Sequence, residues 1–448
     1  MQGLLPQGVS LQFQGLSQPL QILQRLGGGT QGEVYAVQLE GSAAHDQLAL
    51  KWYYPNCIRR DPQLKARLQQ SIRLAPPSGA FLWPLVLLEP SASSLALIRH
   101  GEGSFGYLMP LRPAAFVGSH EHAAGQLEIS LQNVLKAGFE LVDGFHQLHL
   151  KGLCYKDISL GNLFLEPSQG RILICDNDNV EIDGRGGGSV LGTPGFMAPE
   201  VLLGQAKPSA SSDLFSLAVL LFRLFTRHDP FRGRQELAIR CLDEPARRQL
   251  YGEQALFIFD PDCSDNRPDP SEHAAALITW PIYPRELQRL FEQCFGRGLH
   301  QPQQRPLTGQ WQQAISRCLD QRQLCPHCGQ EVFAEADQAS QCWACQGLLP
   351  APLQLQLPQG QVVAAAGNGL HPHHFDGLSA AQLQTPLAQL VAHPSNPVLL
   401  GLQNLSEHTW QGRLRNGQSL ALAPGKTCNV AALQQLNSHA GAIIPLHP

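Results

Sequence analysis

Three side chains in the middle of the sequence carry oxygens at a spacing that can hold a cation and move a proton. They are Asp157 and Asn162 in "CYKDISLGNLFL" and Asp176 in "ICDNDNV". Between them, Leu163–Leu165 reads as a strand, "EPSQGR" as a turn and Ile172–Ile174 as a second strand. Such a hairpin sets Asn162 beside Asp176, although they are fourteen residues apart. Two converging oxygens with a further carboxylate nearby suit Mg²⁺, which takes few protein oxygens and completes its shell with substrate phosphates. Asp157 then lies where a substrate hydroxyl can hand over its proton. Taken alone, "DND" is equally a polar turn after a strand, because Asp and Asn are common turn formers.

Phosphates need a cradle, and the amino-terminal part offers one. "LGGGTQGEVYAV" runs Gly27, Gly28, Gly29, Gly32, Val34, a GxGxxGxV pattern between two strand-like runs. Glycines let backbone N–H groups press against phosphates unobstructed by side chains. A strand follows the loop, which disfavours a dinucleotide fold, where a helix would follow. Nineteen residues past Gly32, Lys51 sits in the apolar strand "LALKWY". It is either an edge lysine reaching for solvent or an ammonium aimed at phosphates held by the loop.

A separate chemistry lies further on. "CPHC" (325–328) and "CWAC" (342–345) are two CxxC turns with thirteen residues between them. Cys325, Cys328, Cys342 and Cys345 can close a tetrahedral structural Zn²⁺ site, and the spacing matches a zinc ribbon. A ribbon this small needs its metal to fold. The segment between the pairs contains no Lys or Arg, which speaks against nucleic acid. "HPHH" (371–374) reads as a Pro-containing loop, and the other eight cysteines as buried apolar residues or surface thiols.

The elements that must position these groups follow from pattern. Residues 1 to about 110 read as short strands broken by glycine turns, with one helix whose cap and first residue are Asp61 and Pro62. From about 111 to 320 the chain reads as mainly helical; Leu131, Val134, Leu135, Phe139, Val142, Phe145 and Leu148 fall at helical spacing before Gly152. Residues 350–448 return to short apolar runs, with Asn416-Gly417 as a hairpin signal. At 448 residues two to four domains are expected. A net charge of -4 gives no electrostatic case for nucleic acid or membrane binding. The most apolar run, 214–225, is too short to span a bilayer and contains Arg223, and no secretory signal is evident. With a single four-cysteine cluster, the cysteine pattern predicts a reducing, cytoplasmic setting.

In order and spacing these motifs resemble eukaryotic-type serine/threonine protein kinases over about residues 19 to 320. The landmarks are the loop Gly27–Val34, Lys51, Asp157 with Asn162, Asp176, "GTPGFMAPE" (192–200), Asp213 in "SSDLFSLAVLLF" and Arg305 in "QQRPLTGQW". The resemblance implies an α+β architecture. A bilobal kinase fold (lobes 1–110 and 111–320) is followed by a zinc ribbon (324–349) and a small all-β, sandwich-like interaction domain (350–448). It implies ATP and Mg²⁺ as cofactors and a protein substrate. Lys51 would orient phosphates, Asn162 and Asp176 hold Mg²⁺, and Asp157 position the acceptor hydroxyl. Gly27, Gly28, Gly29, Gly32, Val34, Ala49 and Met109 would contact the nucleotide. The domain order, with "CDNDNV", further resembles the bacterial kinase of the tellurium-resistance-associated phosphorylation triad. That kinase's partners are a von Willebrand A-type protein and a PPM-type phosphatase. The alternative is a nucleotide-binding pseudokinase scaffold.

Four departures from that family stand out. Asp176-Asn177-Asp178 replaces Asp-Phe-Gly, losing an apolar plug and a permissive hinge. Tyr155-Lys156 replaces His-Arg, which removes the arginine on which activation-loop phosphates dock in that family; Ser189 and Thr193 are the hydroxyls of that segment. Ser159 stands where serine/threonine kinases commonly carry lysine. The helix after Lys51 lacks a glutamate, and Gln69 or Gln70 falls near the expected position of the lysine's partner.

Overall fold

The computed structural model describes residues 3–43, 46–184, 190–334, 341–376, 383 and 385–446, without the side chains of 397 and 398. Ser189 lies outside the described residues. The amino-terminal part is a seven-stranded antiparallel sheet. Its strands are β1 (Ser10–Leu11), β2 (Phe13–Gln14), β3 (Leu20–Gly28), β4 (Gly32–Leu39), β5 (Leu48–Tyr53), β6 (Val86–Pro90) and β7 (Gly106–Pro110), in the order β1-β3-β4-β5-β7-β6-β2. The β3–β4 turn is the glycine loop, closed by the Gly29 N–H donating to the Gly32 carbonyl at 2.9 Å. Gly32 is required by packing: a Cβ there would sit 2.2 Å from the Trp52 carbonyl oxygen.

Where one helix is expected after β5, two form: α1 (Pro55–Arg60) and α2 (Leu64–Leu74). Pro55 opens α1, since its missing N–H costs nothing at a helix start. Asp61 ends α1 rather than capping the next helix. Its carboxylate accepts the Gln63 N–H and pairs with Arg67, so α2 begins later than Asp61-Pro62 predicts.

The carboxy-terminal lobe is built on α3 (Leu131–Leu150), whose expected apolar positions Val134, Leu135, Phe139, Val142, Phe145 and Leu148 are all buried. Ser130 caps it through the Asn133 N–H, and Gly152 turns the chain out of it at φ 67°. Against it pack the hairpin β8 (Leu163–Glu166) and β9 (Arg171–Ile174) and the helix α4 (Ala210–Thr226). The lobe closes with α5 (Arg285–Phe295) and α6 (Thr308–Asp320). Asp213, buried at the start of α4, accepts the N–H groups of Tyr155 at 2.7 Å and Lys156 at 3.0 Å. That bond pair fixes the loop leading to Asp157. Among the described residues no helix is long and apolar enough to cross a membrane.

Beyond α6, Arg322–Leu324 pairs with Glu331–Phe333 and carries the first cysteine turn. The remainder forms a six-stranded and a four-stranded antiparallel sheet around one core containing Leu355, Leu390, Leu402, Trp410 and Leu433. Trp410–Leu414 and Ser419–Leu422 pair across the Asn416-Gly417 turn, with Gly417 at φ 85°. This part is fastened to the helical lobe by polar contacts. Arg322 reaches Glu331, the Ala366 carbonyl and Asn368, and Gln132 donates to the Gly367 carbonyl at 2.8 Å.

The His371–His374 segment joins the same seam. Asp320, His373 and His374 bring potential ligand atoms within 4.8 Å of one another. The bonding argues for a latch and not a metal site. The His371 N–H donates to His374 Nδ1, so Nε2 carries the ring proton and donates it to Asp320 at 3.0 Å.

Candidate active site

The sheet register gathers the predicted nucleotide positions. Val34 pairs with Lys51 across β4–β5, and Ala49 pairs with Met109 across β5–β7. Directly paired residues share a face, and so do residues two apart on a strand. Val34, Ala49, Lys51 and Met109 therefore occupy one face, beneath the glycine loop. A Cβ at Gly27 or Gly29 would meet nothing within 4 Å, so the space at the loop tip is open.

Lys51 is 6% exposed, and its ammonium donates to Asp176 Oδ1 at 2.5 Å, Asp178 Oδ2 at 2.7 Å and Gln31 Oε1 at 2.8 Å. Burial by itself disfavours the ammonium, but Asp178 and Asp176 outweigh it and hold the pKa well above the ordinary lysine range. The expectation of a glutamine partner is corrected here. Gln69 is exposed, Gln70 is half-buried, and the inward residues of α2 are Leu64, Arg67, Leu68 and Ser71. The charged partner comes instead from the turn after β9. Asp178 is fully buried and also accepts the Tyr53 hydroxyl. Burial works to raise its pKa, yet Lys51 and Tyr53 overcome this and hold it below the usual carboxylate range. Burial raises Asp176, against the pull of Lys51.

The other replacements are explained by the same turn. Asn177 is buried where an apolar plug is missing, and its amide donates to the Leu82 carbonyl at 2.8 Å and the Ile174 carbonyl at 3.2 Å. It ties the turn to both lobes by hydrogen bonds. The left-handed residue is Asp176 itself, at φ 59° and ψ 43°, while Asn177–Asn179 form a 3-10 turn. No glycine is needed at Asp178.

Asn162 and Asp176 are drawn together as the hairpin predicts: Leu163 pairs with Ile174, and the Cys175 N–H donates to the Asn162 carbonyl at 2.9 Å. Asn162 Nδ2 donates to the Asp157 carbonyl at 2.8 Å, which leaves its side-chain oxygen for a cation. Asp157 Oδ1 accepts the Thr193 hydroxyl at 2.6 Å, fixing the carboxylate at the mouth of the cleft. Lys156, at φ 72°, turns away from it and pairs with Glu181, which also faces Arg67 of α2 at 3.5 Å. At the base, Arg305 forms two bonds of 2.8 Å to Glu200.

The donors present fit ATP and Mg²⁺: an open glycine turn, one buried ammonium, and Asn162 and Asp176 side by side beside it. The four cysteines form a second centre. Cys325 and Cys345 sulfurs are 3.7 Å apart, Cys328 and Cys342 are 3.6 Å apart, and all four lie within 4.8 Å. A tetrahedron with metal–sulfur bonds of about 2.3 Å has edges of about 3.8 Å, so this cluster could hold Zn²⁺.

Comparisons with known proteins return protein kinases. Residues 118–308 match the family model of the protein kinase domain. Mouse protein kinase C delta type is 27% identical over 215 residues, 47% of this chain and 30% of that protein. Pig rhodopsin kinase GRK7 is 26% identical over 243 residues, 52% of this chain and 42% of that protein. The probable serine/threonine-protein kinase CCRP1 of maize is 35% identical over 95 residues, 20% of this chain and 15% of that protein. The matched stretches thus cover well under two thirds of these relatives. These matches support a protein serine/threonine kinase, with the kinase-domain match itself lying in residues 118–308.

Proposed function

We propose that the protein transfers the γ-phosphate of ATP to serine or threonine hydroxyls of a partner protein. The observation that carries this reading is the convergence of Lys51, Asp157, Asn162 and Asp176 at one cleft beneath the glycine loop. Asp157 accepts the acceptor hydroxyl's proton, Lys51 orients the phosphates, and Asn162 and Asp176 hold Mg²⁺. Mg²⁺ supplies neutralisation of the charge that develops on the transferred phosphoryl group. The test is incubation of the purified full chain with radiolabelled ATP and a generic basic protein. Incorporation of label supports the reading, and its absence under all Mg²⁺ concentrations overturns it.

The second reading, a pseudokinase scaffold, is favoured by one observation. Lys51 already has Gln31, Asp176 and Asp178 as partners, so its ammonium is engaged by protein groups before any phosphate arrives. Nucleotide binding without incorporation would select that reading.

The finer parts of the proposal concern setting and architecture. The chain is a cytoplasmic bacterial kinase of the tellurium-resistance-associated triad, acting beside a von Willebrand A-type protein and a PPM-type phosphatase. Its lobes are residues 1–110 and 111–320, its zinc ribbon 324–349 and its β-rich interaction domain 350–448. The ribbon binds one structural Zn²⁺ through Cys325, Cys328, Cys342 and Cys345. Metal analysis of the purified protein is expected to return one zinc per chain. Chelation is expected to make the cysteine segment the first site of proteolysis, because thiolates left unligated hold these turns weakly. Protein grown with adequate zinc and found to contain none would refute the ribbon.

A further inference from the structure

We infer that Asp178 is the positioning residue for Lys51, taking the place of the helix carboxylate that this chain lacks. The inference rests on the kinase reading above. The helix that flanks the lysine contains no acid between Leu64 and Leu74. It packs against the Asn177–Asn179 turn with Leu64, Arg67, Leu68 and Ser71 inward. Its one buried charge, Arg67, is directed at Asp61 and Glu181 and away from the lysine's role. Asp178 meets the requirement that the helix does not. Its carboxylate is fully buried, 2.7 Å from the Lys51 ammonium, and is itself steadied by the Tyr53 hydroxyl from the same strand as the lysine.

Two consequences follow from where Asp178 sits. It is two residues from Asp176, so the lysine is tied to the segment that carries the metal ligand and not to α2. The pair forms whenever the turn after β9 is folded, and movement of α2 is not needed to assemble it. Asp178 also relieves Asp176: Mg²⁺ can recruit Asp176 while the ammonium keeps a carboxylate partner. One ammonium against two carboxylates leaves a net negative charge to attract that cation.

The test reads Lys51 directly in the nucleotide-free full chain, so it does not depend on activity. Acylation of Lys51 by a small amine-reactive reagent at fixed pH is followed by mass spectrometry and normalised to an exposed lysine, Lys426. Asp178→Asn removes the buried carboxylate that holds the ammonium in place, so the amine is released to the reagent and labelling is expected to accelerate tenfold or more. Asp176→Asn removes the more exposed of the two carboxylates and leaves the buried Asp178 pair in place, so labelling is expected to accelerate less than in Asp178→Asn. In the phosphotransfer assay Asp178→Asn is expected to lower kcat at least thirtyfold, with KM for ATP changed less than fivefold. Gln70→Glu is expected to change neither.

Unchanged Lys51 labelling in a folded Asp178→Asn protein would overturn the inference. So would acceleration on Asp176→Asn to the level of an exposed lysine, a result that decides the matter even if the Asp178 variant fails to fold. If wild type transfers no phosphate, the kinase reading fails, while the labelling arms still judge Asp178.

Discussion

Asp157→Asn is expected to lower phosphotransfer by about 10²–10⁴-fold, the range contributed by a positioned proton acceptor. The substitution is nearly isosteric. Thr193 can still donate to the side-chain oxygen and Asn162 to the backbone carbonyl, as they do at 2.6 Å and 2.8 Å in the native site. What disappears is the basicity that the proposed mechanism assigns to receiving the hydroxyl proton. The phosphate cradle is separate, since Lys51 has its bonds to Gln31, Asp176 and Asp178 and none to Asp157 among the described contacts. ATP affinity by calorimetry is therefore expected to stay within a few-fold of wild type. Radiolabelled-phosphate initial rates measure the other half. A variant that phosphorylates as fast as wild type would remove Asp157 from the proposed mechanism.

Glu200→Ala is expected to cost about 3–5 kcal/mol of stability, because it strands a buried cation. Arg305 has a fully buried side chain, and Glu200 satisfies it through two parallel bonds of 2.8 Å. The remaining Arg305 contacts, to the Gly298 and Ser211 carbonyls, are neutral acceptors and leave the charge uncompensated. Urea denaturation followed by tryptophan fluorescence reports the helical lobe, where Trp280 and Trp311 lie in the core. Replacing both partners with apolar residues of similar size is expected to recover much of the loss, since neither desolvated charge then remains. A single-variant cost below about 1 kcal/mol, the level of an exposed pair, would show that solvent reaches the guanidinium.

The sequence by itself determined the parts of this protein that depend on short-range spacing. The β3–β4 glycine turn, the hairpin that joins Asn162 to Asp176, the apolar face of α3 and the two CxxC turns each lie within a few dozen residues. Periodicity and turn chemistry act over that distance. The partner of Lys51 was not legible in this way. Asp178 lies 127 residues away, and Asp178 reads as an ordinary turn residue until the turn is folded against the sheet. Asn177 as a polar plug, Glu181 facing both Lys156 and Arg67, and the Asp320–His374 latch across 54 residues belong to the same kind. The physical reason is that a buried ammonium requires a carboxylate within reach and is indifferent to its place in the chain. Only the approach of the folded elements decides which acid supplies it, and here it was the turn after β9 and not the helix.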